Sequence, residues 1–183
     1  MLRMPLSSRT SARVITLAVL CACGGSDPTG SNGHVVNGTI SGALSDYGPW
    51  IGQTTVTADA TNGSVKIVAE DVNFKKITLF LAGIDITVPV TTPDTISITP
   101  ENQNLTGYAE FAEEYQTGIY QYNTFELGHA TIILTHVGQD KVTGTFDFEV
   151  HRFPTGAPLP TGGASTRTLV GGAFDIRPTT SAQ

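Results

Sequence analysis

The sequence predicts an all-β protein built as a single antiparallel β-sandwich or meander barrel of about 8–10 strands. From His34 onward the chain is rich in Thr, Val, Ile, Phe and Tyr, and Gly, Asn, Asp or Pro interrupts it about every ten residues. The stretch "GTFDFEVHR" alternates cleanly, with Phe146, Phe148 and Val150 on one face and Asp147, Glu149 and His151 on the other. One face of that strand is core and one is wet. Two turn signals complete the case. "ATNGS" (Ala60–Ser64) carries Asn62-Gly63, suited to a type I′ turn, and "HVGQDKV" (His136–Val142) marks a second hairpin.

In chain order, "HVVNGTISGAL" opens the domain, Gly48-Pro49 leads into "IGQTTVTADA", and the Asn62-Gly63 turn reverses the chain into "SVKIVAED". "KKITLFLAG" and "DITVPV" follow as strands, and the excursion "TTPDTISITPENQN" (Thr91–Asn104) separates them from "TGYAEFAEE". Residues 108–116 are open between strand and one or two helical turns, because Ala, Glu, Phe and Tyr serve either; strand is the favoured reading. "GIYQYNTF" and "HATIILTHV" come next, and the run Ile132-Ile133-Leu134 fits a strand covered on both sides. "KVTGTFDFEVHR" and "TRTLVGGAFDIR" close a meander.

The N-terminus follows different rules. "MLRMPLSSRTSARVITLAVLCA" holds Arg3, Arg9 and Arg13, no acidic residue, and an apolar run from Val14 to Ala22. That is a signal-peptide layout, and the run is too short for a bilayer span of about 20 residues. "LCAC" places Leu20 three residues before Cys23 and Ala22 directly before it, which resembles the bacterial lipobox. The resemblance implies cleavage after residue 22, a diacylglycerol on Cys23 and loss of Cys21 with the signal; Gly24, where Asp would retain the protein at the inner membrane, implies the outer membrane. An ordinary cleaved signal is the alternative. A redox pair prefers Cys-x-x-Cys, and a structural zinc site wants four ligands, while the chain has only these two cysteines. The organisation expected is a signal over 1–22, lipidated Cys23 with a Gly/Ser tether over 23–33, the β domain over 34–178 and a frayed tail over 179–183.

Three of the ten basic residues and none of the sixteen acidic ones precede Cys23, so the mature chain carries −9. An acidic domain has no electrostatic reason to hold phosphate backbones or anionic lipid, so nucleic acid is an unsuitable partner and the acyl group must supply the membrane contact.

"GTFDFEV" followed by "LVGGAFDIR", together with "NGTISGALSDYGPWIGQTTVTADATNGSVKIVAED", resembles a group of uncharacterised bacterial lipoproteins whose domains end in G-T-F-x-F and G-x-F-x-[VI] strands. The resemblance carries over Gly144, Phe146, Phe148, Gly172, Phe174, Ile176 and Pro49-Trp50, none of which it makes catalytic. The inserted loop "RFPTGAPLPTGGAS" (Arg152–Ser165) departs from that group.

Hairpin loops are usually short, so this loop is either a binding element or decoration, and Pro154, Pro158 and Pro160 stiffen it. A protein or glycan partner is expected there, with Phe153 and Leu159 as candidate ligand contacts. Trp50, the sole Trp, either plugs the core or stacks on a ligand. The His residues show no metal-ligand spacing, no Gly-x-Ser-x-Gly elbow or phosphate loop is present, and no cofactor or metal is expected. The expected role is a non-enzymatic binding or interaction module in a bacterial cell envelope. The alternatives are a glycan hydrolase using Glu110, Glu113, Glu114 or the Asp147 and Glu149 pair, and a structural part of a membrane-associated assembly.

Overall fold

The computed structural model describes residues 38–180, apart from 46, 54, 62, 91, 116–117 and 160–162, so Cys23 and its flanks lie outside the described residues. Eleven strands and one helical turn follow one another: β1 (Gly38–Leu44), β2 (Gly48–Ile51), β3 (Thr55–Thr61), β4 (Ser64–Glu70), β5 (Lys76–Ala82), β6 (Asp94–Ile98), α1 (Gln103–Thr106), β7 (Gly107–Tyr115), β8 (Gly118–Val137), β9 (Val142–Arg152), β10 (Thr166–Ile176) and β11 (Thr179–Thr180). The protein is all-β, as its sequence predicts.

Alternation builds the core. Val65, Ile67 and Ala69 of β4 stand opposite Leu81, Leu79 and Ile77 of β5, and Ile77 and Leu79 in turn face Phe111 and Ala109 of β7. These side chains join Phe146, Phe148, Val150, Leu169, Phe174 and Ile176 in one buried cluster. The Gly-Phe repeats at the closing strands have a packing cause. In the β9–β10 register Gly172 stands opposite Phe146 and Phe174 opposite Gly144. A Cβ built on Gly172 would lie 2.6 Å from the Phe146 ring, and one on Gly144 2.7 Å from the Phe174 ring. Each ring occupies the space above the other strand's glycine.

The strands pair in the order β11-β3-β4-β5-β7-β8-β9-β10-β1-β2, with β6 on β8, and all pairs are antiparallel except β11 on β3. Strand β2, at one end of this path, and β3, next to the short β11 at the other, are consecutive pieces of chain. Gly52 N–H donates to Ile40 O (2.9 Å) and Gln53 N–H, one residue later, donates to Glu70 O (2.9 Å). The stretch from β2 to β3 therefore pairs first with β1 and then with β4, and rolls the sheet until those two strands flank it. No ladder joins β1 directly to β3 among the described residues, so the seam stays open there. Of the sandwich and the meander barrel, this connection favours the barrel. Turns after β1, β4 and β9 lie at one end of the rolled sheet, and those after β3, β8 and β10 at the other.

Several elements differ from the sequence expectation. "DITVPV" is not a strand: Asp85 Oδ1 accepts both the Thr87 N–H (2.8 Å) and the Thr87 hydroxyl (2.6 Å), which makes a turn of it, and Val90 alone bridges to Val137. Strand β6 lies inside the excursion read as loop. "GIYQYNTF" and "HATIILTHV" are one long strand, β8. Residues 108–115 are strand, the favoured of the two readings. The β3–β4 hairpin closes at Thr61 and Ser64, and Gly63 has φ 76°, the left-handed region that a type I′ turn demands.

Candidate functional site

A groove in the barrel wall arises where two facing strands are interrupted at the same level. The chain from Asp94 to Tyr115 runs antiparallel to β8, first as β6, whose Ile98 faces Ala130, and then as β7, whose Glu110 faces Asn123. Between these pairs both chains leave the ladder. On β8 the cause is Asn123, buried, whose Oδ1 accepts the Phe125 N–H (3.0 Å) and turns the backbone aside. On the other chain Asn102 Oδ1 accepts the Thr99 N–H (2.8 Å), and α1 follows. Gln103 Nε2 ties the interruptions together by donating to Phe125 O (3.0 Å), and Thr124 Oγ1 accepts the Ala109 N–H (3.3 Å).

The groove so formed has a volume of about 430 Å³ and is lined by Phe80, Gln103, Asn104, Tyr108 and Phe125, within the roughly 300–1,000 Å³ of small-ligand sites. Phe80 and Tyr108 are a cross-strand pair with their rings stacked at 5.3 Å. Phe125 meets Tyr108 edge-on at 5.1 Å, and Phe153 meets Phe125 edge-on at 5.7 Å. Four half-buried rings thus form a row on a wall that an antiparallel sheet ordinarily gives to polar side chains.

Of the residues singled out in the sequence, Phe153 belongs to this row. Its N–H donates to Gln121 O (2.9 Å), and Arg152 Nη1 donates to both Gln121 O (2.9 Å) and Phe153 O (2.8 Å). Glu126 Oε2 accepts the Thr155 N–H (2.8 Å), so the root of the β9–β10 loop is held beside the groove. Leu159 is exposed farther along that loop and is not among the groove's lining residues. Trp50 stands opposite Gly42, is 2 % exposed and packs in the core, the first of its two expected roles. Phe80, Tyr108 and Phe125 were missed. The available signal was phase: Tyr108 shares its face of β7 with Glu110, Ala112 and Glu114, where no other large apolar side chain stands.

The three glutamates of β7 are dispersed. Glu113 points into the barrel and is 2 % exposed. Its Oε2 accepts the Tyr47 hydroxyl (2.6 Å), and its Oε1 accepts the Tyr122 hydroxyl (2.9 Å) and Arg167 Nη2 (2.8 Å). Arg167 is 3 % exposed, and its guanidinium lies 5.3 Å from the Tyr47 and Tyr122 ring centres. The network ties the β1–β2 turn, β7, β8 and β10 together at one end of the roll. Glu110 is on the other face of β7, half-buried; burial raises its pKa, with Lys76 and Lys66 opposing. Glu114 is exposed.

Asp147 and Glu149 line a shallow groove of about 260 Å³ with His129, Thr131 and Thr168. Asp147 Oδ1 accepts the Gly171 N–H (2.7 Å), where Gly171 bulges from β10 with φ 60°. Glu149 Oε1 is 3.0 Å from His151 Nε2. Among the described residues, no group of three or more His, Cys, Asp or Glu side chains is placed to hold a metal ion, and no helix is long and apolar enough to cross a membrane. No family model matches the chain, and neither a curated protein nor a solved structure matches it.

Proposed function

We propose that this chain is a non-enzymatic binding module, held at a bacterial envelope membrane by a lipid on Cys23, with the aromatic groove and the adjoining loop root as its binding face. The row Phe80–Tyr108–Phe125–Phe153 carries the reading. Large aromatic rings kept half-exposed on a sheet wall sacrifice burial that the core would have provided, and rigid rings offer contact area at little ordering cost. The lipobox-like "LCAC" supports the anchor, and Gly24 supports the outer membrane.

The two halves are tested separately. Palmitate labelling in the source cells is expected to survive Cys21→Ala and to vanish in Cys23→Ala; the reverse pattern sinks the anchor. For the binding face, a photo-cross-linking side chain is placed at Leu105, exposed beside Asn104, and irradiated in the membrane fraction. Adducts are expected that disappear in Phe125→Ala, whereas adducts indifferent to Phe125, or none, sink the groove.

A further inference from the structure

We infer that the groove takes a neutral saccharide, longer than one sugar unit; the inference rests on the groove being the binding face. Charge comes first. The lining residues Phe80, Gln103, Asn104, Tyr108 and Phe125 include neither an acidic nor a basic side chain, although the chain as a whole carries −6. Burial, reinforced by Glu110, raises the Tyr108 pKa, so its phenol stays uncharged at neutral pH. An ionic ligand would be desolvated here without a counter-charge.

The lining chemistry then divides into two kinds. Aromatic faces are negative and attract the weakly positive C–H faces of a pyranose ring, and the exposed Asn104 carboxamide offers a donor and an acceptor to its hydroxyl edges, beside a Gln103 whose Nε2 is already given to Phe125 O. An alkyl ligand would satisfy the rings and leave the Asn104 carboxamide desolvated and unpaired, a penalty that a hydroxylated ligand avoids. Length follows from the ring row. It runs on beyond the groove to Phe153, whose position is fixed by the backbone bond to Gln121 and the Glu126 clasp on Thr155. A surface held rigid before binding loses little ordering entropy.

The test titrates the full chain in detergent with maltohexaose and chitohexaose as neutral probes, an oligogalacturonate as an anionic one and an unstructured peptide, by calorimetry and by amide chemical shifts. At least one neutral hexasaccharide is expected to bind, shifting the amides of Gln103, Asn104, Tyr108 and Phe125. Tyr108→Ala and Asn104→Ala are expected to weaken it about tenfold, and Phe153→Ala to weaken the hexasaccharide more than the matching disaccharide. The shift map is read on the native chain, so a variant that fails to fold does not spoil the result. Shifts confined elsewhere, preference for the anion or the peptide, or no binding of either neutral probe overturns the saccharide. If Phe125-dependent adducts still form at Leu105 in that case, the ligand class alone has failed; if they are also missing, the binding face has failed with it.

Discussion

A carboxylate withdrawn from water keeps its charge only where other donors replace the water. Burial pushes the Glu113 pKa up, but hydrogen bonds from Tyr47, Arg167 and Tyr122 and the Arg167 charge outweigh it, so the group titrates below the usual carboxylate range. Arg167, which burial alone would weaken as a base, is strengthened by Glu113. A carboxyl with a lower pKa folded than unfolded adds stability that is complete above its unfolded value, about 4.3, and is lost as the pH falls through the folded one. Stability is therefore expected to decline below about pH 4. Glu113→Gln is expected to flatten that decline and to cost about 3–5 kcal/mol at neutral pH, because Arg167 stays buried without its counter-charge. Urea unfolding at pH 7 and through the acid range measures both, and a Gln variant of native stability at pH 7 would show the pair to be dispensable. Gly172 makes a second prediction at this scale. Phe146 O lies 2.5 Å and its ring 2.6 Å from the site of an added Cβ, so Gly172→Ala is expected to destabilise by about 1–3 kcal/mol, seen as a lowered Tm. Glu113 was partly legible, since it occupies an inward phase of "GYAEFAEEY" where an apolar side chain belongs. Arg167 was not, because no local pattern reports a partner on a strand this distant in sequence.

Bulges and interruptions are where the strands depart from their periodic pattern, and at Gly171 and Asn123 the cause is local and polar. At Gly171 the free N–H is held by Asp147. Asp147→Ala is expected to speed hydrogen exchange at the Gly171 amide while lowering global stability by only about 0.5–1.5 kcal/mol, because the site is exposed; unchanged exchange would mean that water or a backbone group serves equally well. The strands with clean alternation, β9 above all, were legible to within a residue. Strand β6 was not, although Ile96 and Ile98 alternate with Thr95 and Ser97, because the Pro and Asn residues around it signal a loop. "DITVPV" failed in the opposite direction, since β-propensity there yields to the Asp85 side chain. The interruption at Asn123 was hidden for the same reason: a side-chain-to-backbone bond two residues long leaves no periodic trace.

At the scale of the molecule, all-β class and meander order follow from alternation and turn chemistry alone, but the groove does not. It exists because two separate interruptions arrive at one level, a matter of register between β6, β7 and β8. Its rings come from three strands and a loop. Phe153 was singled out because its loop is long; Phe80, Tyr108 and Phe125 each sit in an ordinary strand sequence and gain meaning only as neighbours. The rolled sheet has a further consequence, in time. Gly38, at the start of the first strand, pairs with Ile176, at the end of the last long one. At about 5–20 residues per second, synthesis of the intervening chain takes on the order of ten seconds. Throughout that interval β1 has no partner on one side, while β3 to β9 pair in turn and leave the newest strand as an open edge. The nascent domain cannot complete itself as it emerges; it closes in a single late event, when its newest strand reaches its oldest.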